Sequence, residues 1–379
     1  MTSPAVVSDG PRTATASPAR PAWLRLLARP LGLYAASRVV TLAAMGVAAV
    51  VSPAYNFSQV ISRWDSGWYL AVAEHGYPHE VPAAQSTIAF FPLYPLATRA
   101  LQAVTGLPFK ASALLVAGVS GLAAAILVWL LVRRVADGDA ADRATALFCF
   151  FPGSFVLTMP YSEALMIALA AGCLLALVSR RWLAAGLAAG LATATRPNAV
   201  ALVACCAWAA AGPLRRREWR AAAAPLLAPV GLLAFFGFLW ARTGQAQAWW
   251  RVQRDGWDQN VDFGWTTVRQ FAQAAGDPLA DLNHLIAALS LVFVVVAGIA
   301  LVRSRLPAVL SIYAGVVMAI ALASDITVSR PRFLLTAFPL VIALARPLRG
   351  WPFAAVLGTS AALLGALTIL ATGTLAATP

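Results

Sequence analysis

Repeated apolar runs are the feature that most restricts how this 379-residue chain can fold. A helical run of about 20 residues crosses the roughly 30 Å hydrocarbon core of a bilayer. The chain is 60% hydrophobic and 11% charged, whereas soluble domains carry about 25% charged residues. In lipid, the backbone satisfies its hydrogen bonds within helices or closed barrels. Because many runs are about 20 residues long, the sequence predicts an all-α polytopic membrane protein.

Counting the apolar runs predicts about 11 transmembrane helices. Their predicted limits are 31–51, 112–132, 144–158, 162–179, 182–195, 198–212, 222–241, 286–302, 306–323, 332–345 and 352–373. No polar block is long enough to fold separately, so residues 30–379 are predicted to form one membrane-embedded domain. Residues 1–29, rich in Pro, Ser, Thr, Ala and Arg, are predicted to be a disordered cytoplasmic tail.

The distribution of arginine predicts the orientation of the helices. The formal charge is +13, and the excess concentrates in short connections on one side, as the positive-inside rule requires. This places the N-terminus in the cytoplasm and the C-terminus outside. It also explains the charge without nucleic acid, since no soluble basic module is present. The longer polar loops, chiefly residues 53–111 and 242–285, then fall outside, where we expect the active site.

The first external loop contains an unusual polar and aromatic stretch. Its candidate site residues are Arg63, Trp64, Asp65, Trp68, Tyr69, Glu74, His75 and Tyr77. A carboxylate beside aromatic rings suits general-base work on an alcohol, and such rings also offer apolar faces to a sugar. The simpler interpretation is an aromatic belt at the membrane interface. Farther along, Phe90 begins an amphipathic run to about Val104, predicted as a helix lying in the interface.

Further candidates follow on the same predicted face, namely Tyr161, Glu163, Arg196, Arg330 and Arg332. Guanidinium groups bind phosphate bidentately and stay charged, so these arginines suit a phosphate leaving group. Snorkelling to lipid headgroups explains a single arginine equally well, and helix capping explains Glu163. The chain shows no glycine-rich phosphate loop, zinc motif or Ser-His-Asp signature. Its four cysteines lack metal-ligand spacing.

Several of these stretches resemble the PIG-V family of membrane mannosyltransferases. The resemblance rests on Arg63–Tyr69, Ala73–Tyr77 and Ala89–Pro95, on 151–163, on 195–197 and on 331–340, and it extends over about residues 30–345. It implies a GT-C glycosyltransferase fold that takes a sugar from a polyprenyl-phosphate carrier and inverts the anomeric centre. It also implies that Asp65 is the base. The arginine-rich, nearly lysine-free composition is typical of a high-GC bacterium, so a GPI acceptor is not expected.

We therefore expect a mannosyltransferase that uses polyprenyl-phosphate-mannose and an extracytoplasmic lipid, glycan or protein hydroxyl. Asp65 is the expected catalytic residue, and the other candidates are expected to bind substrate. No cofactor is expected, although Asp65, Glu74 and His75 leave a divalent metal open. Two alternatives remain at this point: transfer of another polyprenyl-linked sugar, and a transporter or flippase, which would place ionisable residues near the bilayer midplane.

Overall fold

The computed structural model describes residues 22–277, 281–323 and 330–374. Across these residues the regular elements are all helical, so the predicted all-α class is confirmed. The α-helices are α1 (Ala22–Val51), α2 (Phe57–Val60), α3 (Asp65–His75), α4 (Leu93–Thr105), α5 (Phe109–Val135), α6 (Gly138–Cys149), α7 (Glu163–Val178), α8 (Trp182–Thr193), α9 (Ala201–Arg215), α10 (Ala223–Leu227), α11 (Val230–Thr243), α12 (Ala248–Arg251), α13 (Trp265–Gly276), α14 (Leu282–Arg303), α15 (Ala308–Ala323), α16 (Arg330–Thr336), α17 (Pro339–Ala345) and α18 (Gly350–Gly373). Short 3₁₀ turns lie at Thr87–Ala89, Pro152–Thr158, Pro197–Val200 and Trp219–Ala222, and a π-turn lies at Val252–Gly256.

Six segments within the described ranges are long and apolar enough to cross a membrane. They are Leu27–Val51, Phe109–Val135, Pro197–Arg215, Trp219–Thr243, Leu282–Arg303 and Gly350–Gly373. A seventh arises if Pro152–Thr158 and Glu163–Val178, which meet at a bend of 105°, form one broken span. These segments support a membrane protein, but the predicted count of 11 is not confirmed.

Five of the predicted spans are not among these six, and proline interrupts two of those five. The predicted span 144–158 divides into the end of α6 and a separate 3₁₀ turn that begins at Pro152. The predicted span 332–345 divides into α16 and α17, and α17 begins at Pro339. Proline lacks the N–H that would continue the helical hydrogen-bond ladder. The other three, 162–179, 182–195 and 306–323, contain α7, α8 and α15, which are continuous but have only 16, 12 and 16 residues, fewer than the roughly 20 that cross a bilayer core.

The predicted tail boundary also needs correction, because α1 begins at Ala22. Residues 22–29 are therefore helical rather than disordered. Alanine, leucine and arginine have high helix propensity, and α1 continues through Pro30. The rest of the predicted tail, residues 1–21, lies outside the described residues.

The interior consists of two apolar clusters. The larger one fills the space among α1, α5, α6, α7, α9, α15 and α17 and buries Phe148, Phe155 and Tyr313. The smaller one joins the predicted first external loop to α11 through aromatic pairs such as Phe91–Phe235, whose ring centroids are 4.6 Å apart. Each such pair adds about 0.5–1.5 kcal/mol beyond burial, so the loop is held firmly against the bundle.

Helix α4 within that loop confirms a helix where the sequence predicted an amphipathic run. It ends at Thr105, and the next residue, Gly106, adopts φ 71°. Glycine reaches this left-handed conformation without steric cost, and it is the usual residue at this position after a helix. The position of α4 in the membrane interface stays a prediction.

Candidate active site

Asp65 is the first residue of α3, and the backbone just before it is strained. Trp64 adopts φ 58°, a conformation that is rare and costly for a bulky side chain. The strain is held by the end of α18. Trp64 Nε1 donates to the Ala371 carbonyl at 2.7 Å, and Arg63 Nη1 donates to the Thr372 carbonyl at 2.8 Å. These bonds anchor the two residues that precede Asp65 and so hold the start of α3 in place.

Asp65 forms an ion pair with Arg332 of α16. Arg332 Nη1 donates to Asp65 Oδ2 at 2.5 Å. The arginine is 9% exposed, while the side chain of Asp65 is 20% exposed. Burial alone would lower the pKa of Arg332, but the nearby carboxylates of Asp65 and Glu163 outweigh that effect and raise it. Arg332 is therefore a permanent cation beside a carboxylate that solvent can still reach.

A second ion pair lies directly behind the first. Glu163, the first residue of α7, is fully buried, and its Oε1 lies 2.8 Å from Arg196 Nη1. The same oxygen lies 3.8 Å from Arg332 Nε. Glu163 thus faces both arginines, and the cluster contains two carboxylates and two guanidinium groups. Burying charges in this way is costly unless they are paired, so the near-neutral total explains how the cluster is tolerated.

The ion pairs leave hydrogen-bonding capacity unused. Within the described part of the chain, Arg196 Nε, Arg332 Nε and both oxygens of Glu163 are buried without a hydrogen bond of good geometry. A buried polar atom without a partner costs about 1–3 kcal/mol. Unpaired guanidinium donors beside a solvent-accessible carboxylate are the arrangement expected of a site that completes its bonds on a ligand.

Two tyrosines support the charged cluster. Tyr161 Oη accepts the Asp65 backbone N–H at 3.3 Å, which ties the start of α3 to the turn before α7. Tyr69 Oη lies 2.6 Å from Ser162 Oγ and accepts from Arg196 Nη1 at 3.4 Å. Burial raises the pKa of Tyr69 to about 12, so its phenol stays neutral at physiological pH.

The structure thus brings together Asp65, Tyr69, Tyr161, Glu163, Arg196 and Arg332, with Arg63 and Trp64 bracing them. Trp68 lies beside this group, stacked on Phe90 with centroids 6.0 Å apart and edge-on to Trp257 at 5.4 Å. Arg330 is the first residue of α16, but its side chain lies outside the described residues. Most of the predicted site residues therefore lie together, while the roles predicted for them stay predictions.

Glu74, His75 and Tyr77 lie away from the charged cluster. Nine residues of helix separate Asp65 from Glu74, about 13 Å along the axis of α3. Glu74 and His75 are exposed and lie 3.7 Å from one another, and Tyr77 Oη donates to the Phe90 carbonyl at 2.7 Å. Across the described ranges, no three or more His, Cys, Asp and Glu side chains are grouped as metal ligands.

Sequence reasoning missed two residues that shape the site. Arg38 of α1 donates to the Ser154 carbonyl and to Thr158 Oγ1, both at 2.7 Å, and so holds the 3₁₀ turn beside α16. A charged residue in an apolar helix was a visible signal for it. Gly153, in that turn, has no room for a side chain, because an added Cβ would lie 2.2 Å from the Pro331 carbonyl oxygen. No sequence pattern indicated this close approach.

Comparison with known sequences agrees with the resemblance drawn from the motifs. Residues 41–212 match the family model described as Mannosyltransferase (PIG-V). The GPI alpha-1,6-mannosyltransferase 2 of Cricetulus griseus is 37% identical over 153 residues, covering 38% of this chain and 30% of that protein. The GPI mannosyltransferase 2 of Drosophila pseudoobscura pseudoobscura is 29% identical over 113 residues, covering 27% of this chain and 24% of that protein. The matches thus span less than a third of these relatives' length.

Comparison with solved structures shows the fold. ArnT from Cupriavidus metallidurans, bound to undecaprenyl phosphate, superposes with a TM-score of 0.54 at 14% identity, covering 86% of this chain and 60% of that one. The oligosaccharyltransferase AglB from Archaeoglobus fulgidus, in complex with an inhibitory peptide and a dolichol-phosphate, gives a TM-score of 0.53 at 11% identity, covering 94% and 57%. The predicted GT-C fold is confirmed.

Proposed function

We propose that the chain is a membrane mannosyltransferase, because residues 41–212 match the family model described as Mannosyltransferase (PIG-V). Its donor is polyprenyl-phosphate-mannose, and its acceptor is a hydroxyl on an extracytoplasmic lipid, glycan or protein. The observation that carries this proposal is the pairing of Asp65 with Arg332 at 2.5 Å. In our proposal the solvent-accessible carboxylate of this pair is the base, and the guanidinium beside it holds the phosphate.

Asp65 is the base in this proposal because of its exposure. Glu163 is fully buried between two arginines, whereas the side chain of Asp65 is 20% exposed. An acceptor hydroxyl can therefore reach Asp65 but not Glu163. Asp65 removes the hydroxyl proton as the oxygen attacks the anomeric carbon, and inversion follows from attack opposite the leaving group. General-base assistance of this kind contributes about 10²–10⁴-fold to a rate.

The phosphate that leaves carries the electrons of the broken sugar–oxygen bond. Arg332 is paired with Asp65, and its Nε, like that of Arg196, has no hydrogen bond within the described residues. Charge-assisted bonds from guanidinium to phosphate oxygens are about twice as strong as neutral ones. Fixed cations aimed at developing negative charge lower the barrier without reorganising. Glu163 contributes by holding both arginines in place.

An apolar groove next to Arg332 supports a donor with a long hydrocarbon tail. The groove has a volume of about 580 Å³ and is formed mainly by α14 and α18. Pro331, the neighbour of Arg332, is part of its wall. In our proposal the polyprenyl chain lies in this groove and its phosphate reaches Arg332. ArnT and AglB, which share the fold, were solved with undecaprenyl phosphate and dolichol-phosphate.

The experiment is a transfer assay on the purified Asp65→Asn variant. Asparagine keeps the shape of the side chain but cannot accept the proton, so we expect kcat to fall by about 10²–10⁴-fold. Glu74→Gln is the matched control, since it removes a carboxylate from the far end of the same helix. Full activity of Asp65→Asn would refute the role of Asp65. Supplying polyprenyl-phosphate glucose or arabinose in parallel identifies the sugar.

A further inference from the structure

A second pocket lies apart from the charged cluster, near the other end of α3. It has a volume of about 520 Å³ and lies among α3, α4, α11 and Ala194, the residue that follows α8. His75 and Tyr77, which the sequence assigned to substrate binding, line this pocket. Asp65 and Arg332 do not, so the pocket is a separate feature of the described chain.

The pocket is cationic at one end and apolar along its length. Arg99 and Arg242 are both lining residues. Arg99 donates to the Ala73 and Glu74 carbonyls through Nε and Nη2, and Arg242 donates to the Tyr77 carbonyl through the same two atoms. The Nη1 groups make no hydrogen bond within the described part of the chain. Two oriented guanidinium groups therefore keep donors for an anion.

The apolar part of the pocket follows one face of α11. Gly231, Ala234, Phe235, Phe238 and Arg242 all line it, and their spacing of three or four residues places them on one side of a helix. α11 forms the second half of the candidate span Trp219–Thr243, and Arg242 is in its last turn. A cation at the end of a span lies at the depth of the lipid headgroups.

The length of this face matches one leaflet of a bilayer. Eleven residues separate Gly231 from Arg242, which is about 16 Å at 1.5 Å per residue. Half of a hydrocarbon core of about 30 Å is about 15 Å. If the charged group of a ligand lies at Arg242, its apolar tail can therefore follow this face as far as the middle of the membrane.

We propose that this pocket binds an anionic phospholipid of the bilayer. The phosphate lies against Arg99 and Arg242, which are level with the headgroups, and one acyl chain runs along Phe238 and Phe235 toward Gly231. Glu74 is the nearby carboxylate; it lies beside His75 rather than among the lining residues, so the rim keeps a net positive charge. The site is independent of the proposed transfer reaction, and its test requires no turnover.

The test is native mass spectrometry of the delipidated, full-length protein titrated with dioleoylphosphatidylglycerol. We expect a saturable first lipid, with dioleoylphosphatidylcholine binding more weakly because its headgroup has no net charge. Arg99→Gln and Arg242→Gln should each weaken binding by about tenfold or more, the value of a charge-assisted bond. Ala234→Trp, which fills the apolar part while leaving both arginines, should also abolish the first binding event.

The control is Arg269→Gln, which removes an exposed arginine from α13 outside the pocket and should leave the affinity unchanged. Equal binding of the two lipids would refute the preference for an anion. Full competition by inorganic phosphate would show that only a free anion is bound. Binding that is insensitive to Ala234→Trp and to both arginine variants would show a nonspecific lipid belt. Each of these three results overturns the proposal.

Discussion

Replacing Gly153 by alanine tests whether the active site depends on a close approach of two backbones. A Cβ at this position would lie 2.2 Å from the Pro331 carbonyl oxygen and 2.9 Å from the Arg332 nitrogen. Ordinary contact begins at 3.4 Å, so the backbone must move by 3.4 − 2.2 = 1.2 Å. The clashing atoms belong to the backbone of Pro331 and Arg332, which cannot rotate away as a flexible side chain can. Helix α16 must therefore move.

The movement would change the position of Arg332 relative to Asp65. Their 2.5 Å bond has little tolerance, since hydrogen bonds of this kind extend to about 3.2 Å. Misplacing a catalytic group by about 1 Å can cost about 10²-fold in rate. We therefore expect Gly153→Ala to lower kcat by that order while the protein still inserts and folds.

The assay measures mannose transfer by the purified protein from the proposed donor, polyprenyl-phosphate-mannose, together with the thermal unfolding temperature. Gly298→Ala in α14 is the matched control, because an added Cβ there meets no atom within 4 Å. It should be fully active. Wild-type activity in Gly153→Ala would refute the reasoning, since it would mean that the position of Arg332 does not limit the reaction.

Two further predictions concern the residues behind Asp65. Glu163→Gln leaves Arg196 without the carboxylate at 2.8 Å, so we expect a loss of about 3–5 kcal/mol of unfolding free energy, as for other broken buried pairs. Glu163→Met combined with Arg196→Met should recover much of it in the same denaturant titration, and additive losses would contradict the coupling. Tyr69→Phe removes the 2.6 Å bond to Ser162 and should cost about 1 kcal/mol. Because burial raises the pKa of Tyr69 to about 12, its phenol is already neutral at working pH. The activity–pH profile of this variant should therefore match that of the wild type, and a shifted profile would show that Tyr69 titrates.

Local sequence patterns determined much of this protein. Hydrophobic length predicted the helical membrane class, since a span is a property of consecutive residues. The motif around Asp65 predicted the family, and it placed Asp65 and Tyr69 in the loop that carries the candidate site. The same local reasoning was wrong where it treated apolar residues on both sides of Pro152 and Pro339 as continuous helices.

Only the tertiary structure decided which of the candidate residues meet. Asp65 and Arg332 are 267 positions apart, and no periodicity relates residues at that distance. Glu74 is much closer to Asp65 in sequence, yet a rigid helix holds it about 13 Å away. The role of Gly153 likewise depends on the carbonyl of Pro331, which is near it only after folding. The sequence therefore determined the helical class and supplied the candidate residues, while the packing of distant helix ends determined which of them meet, because ion pairs form between neighbours in space.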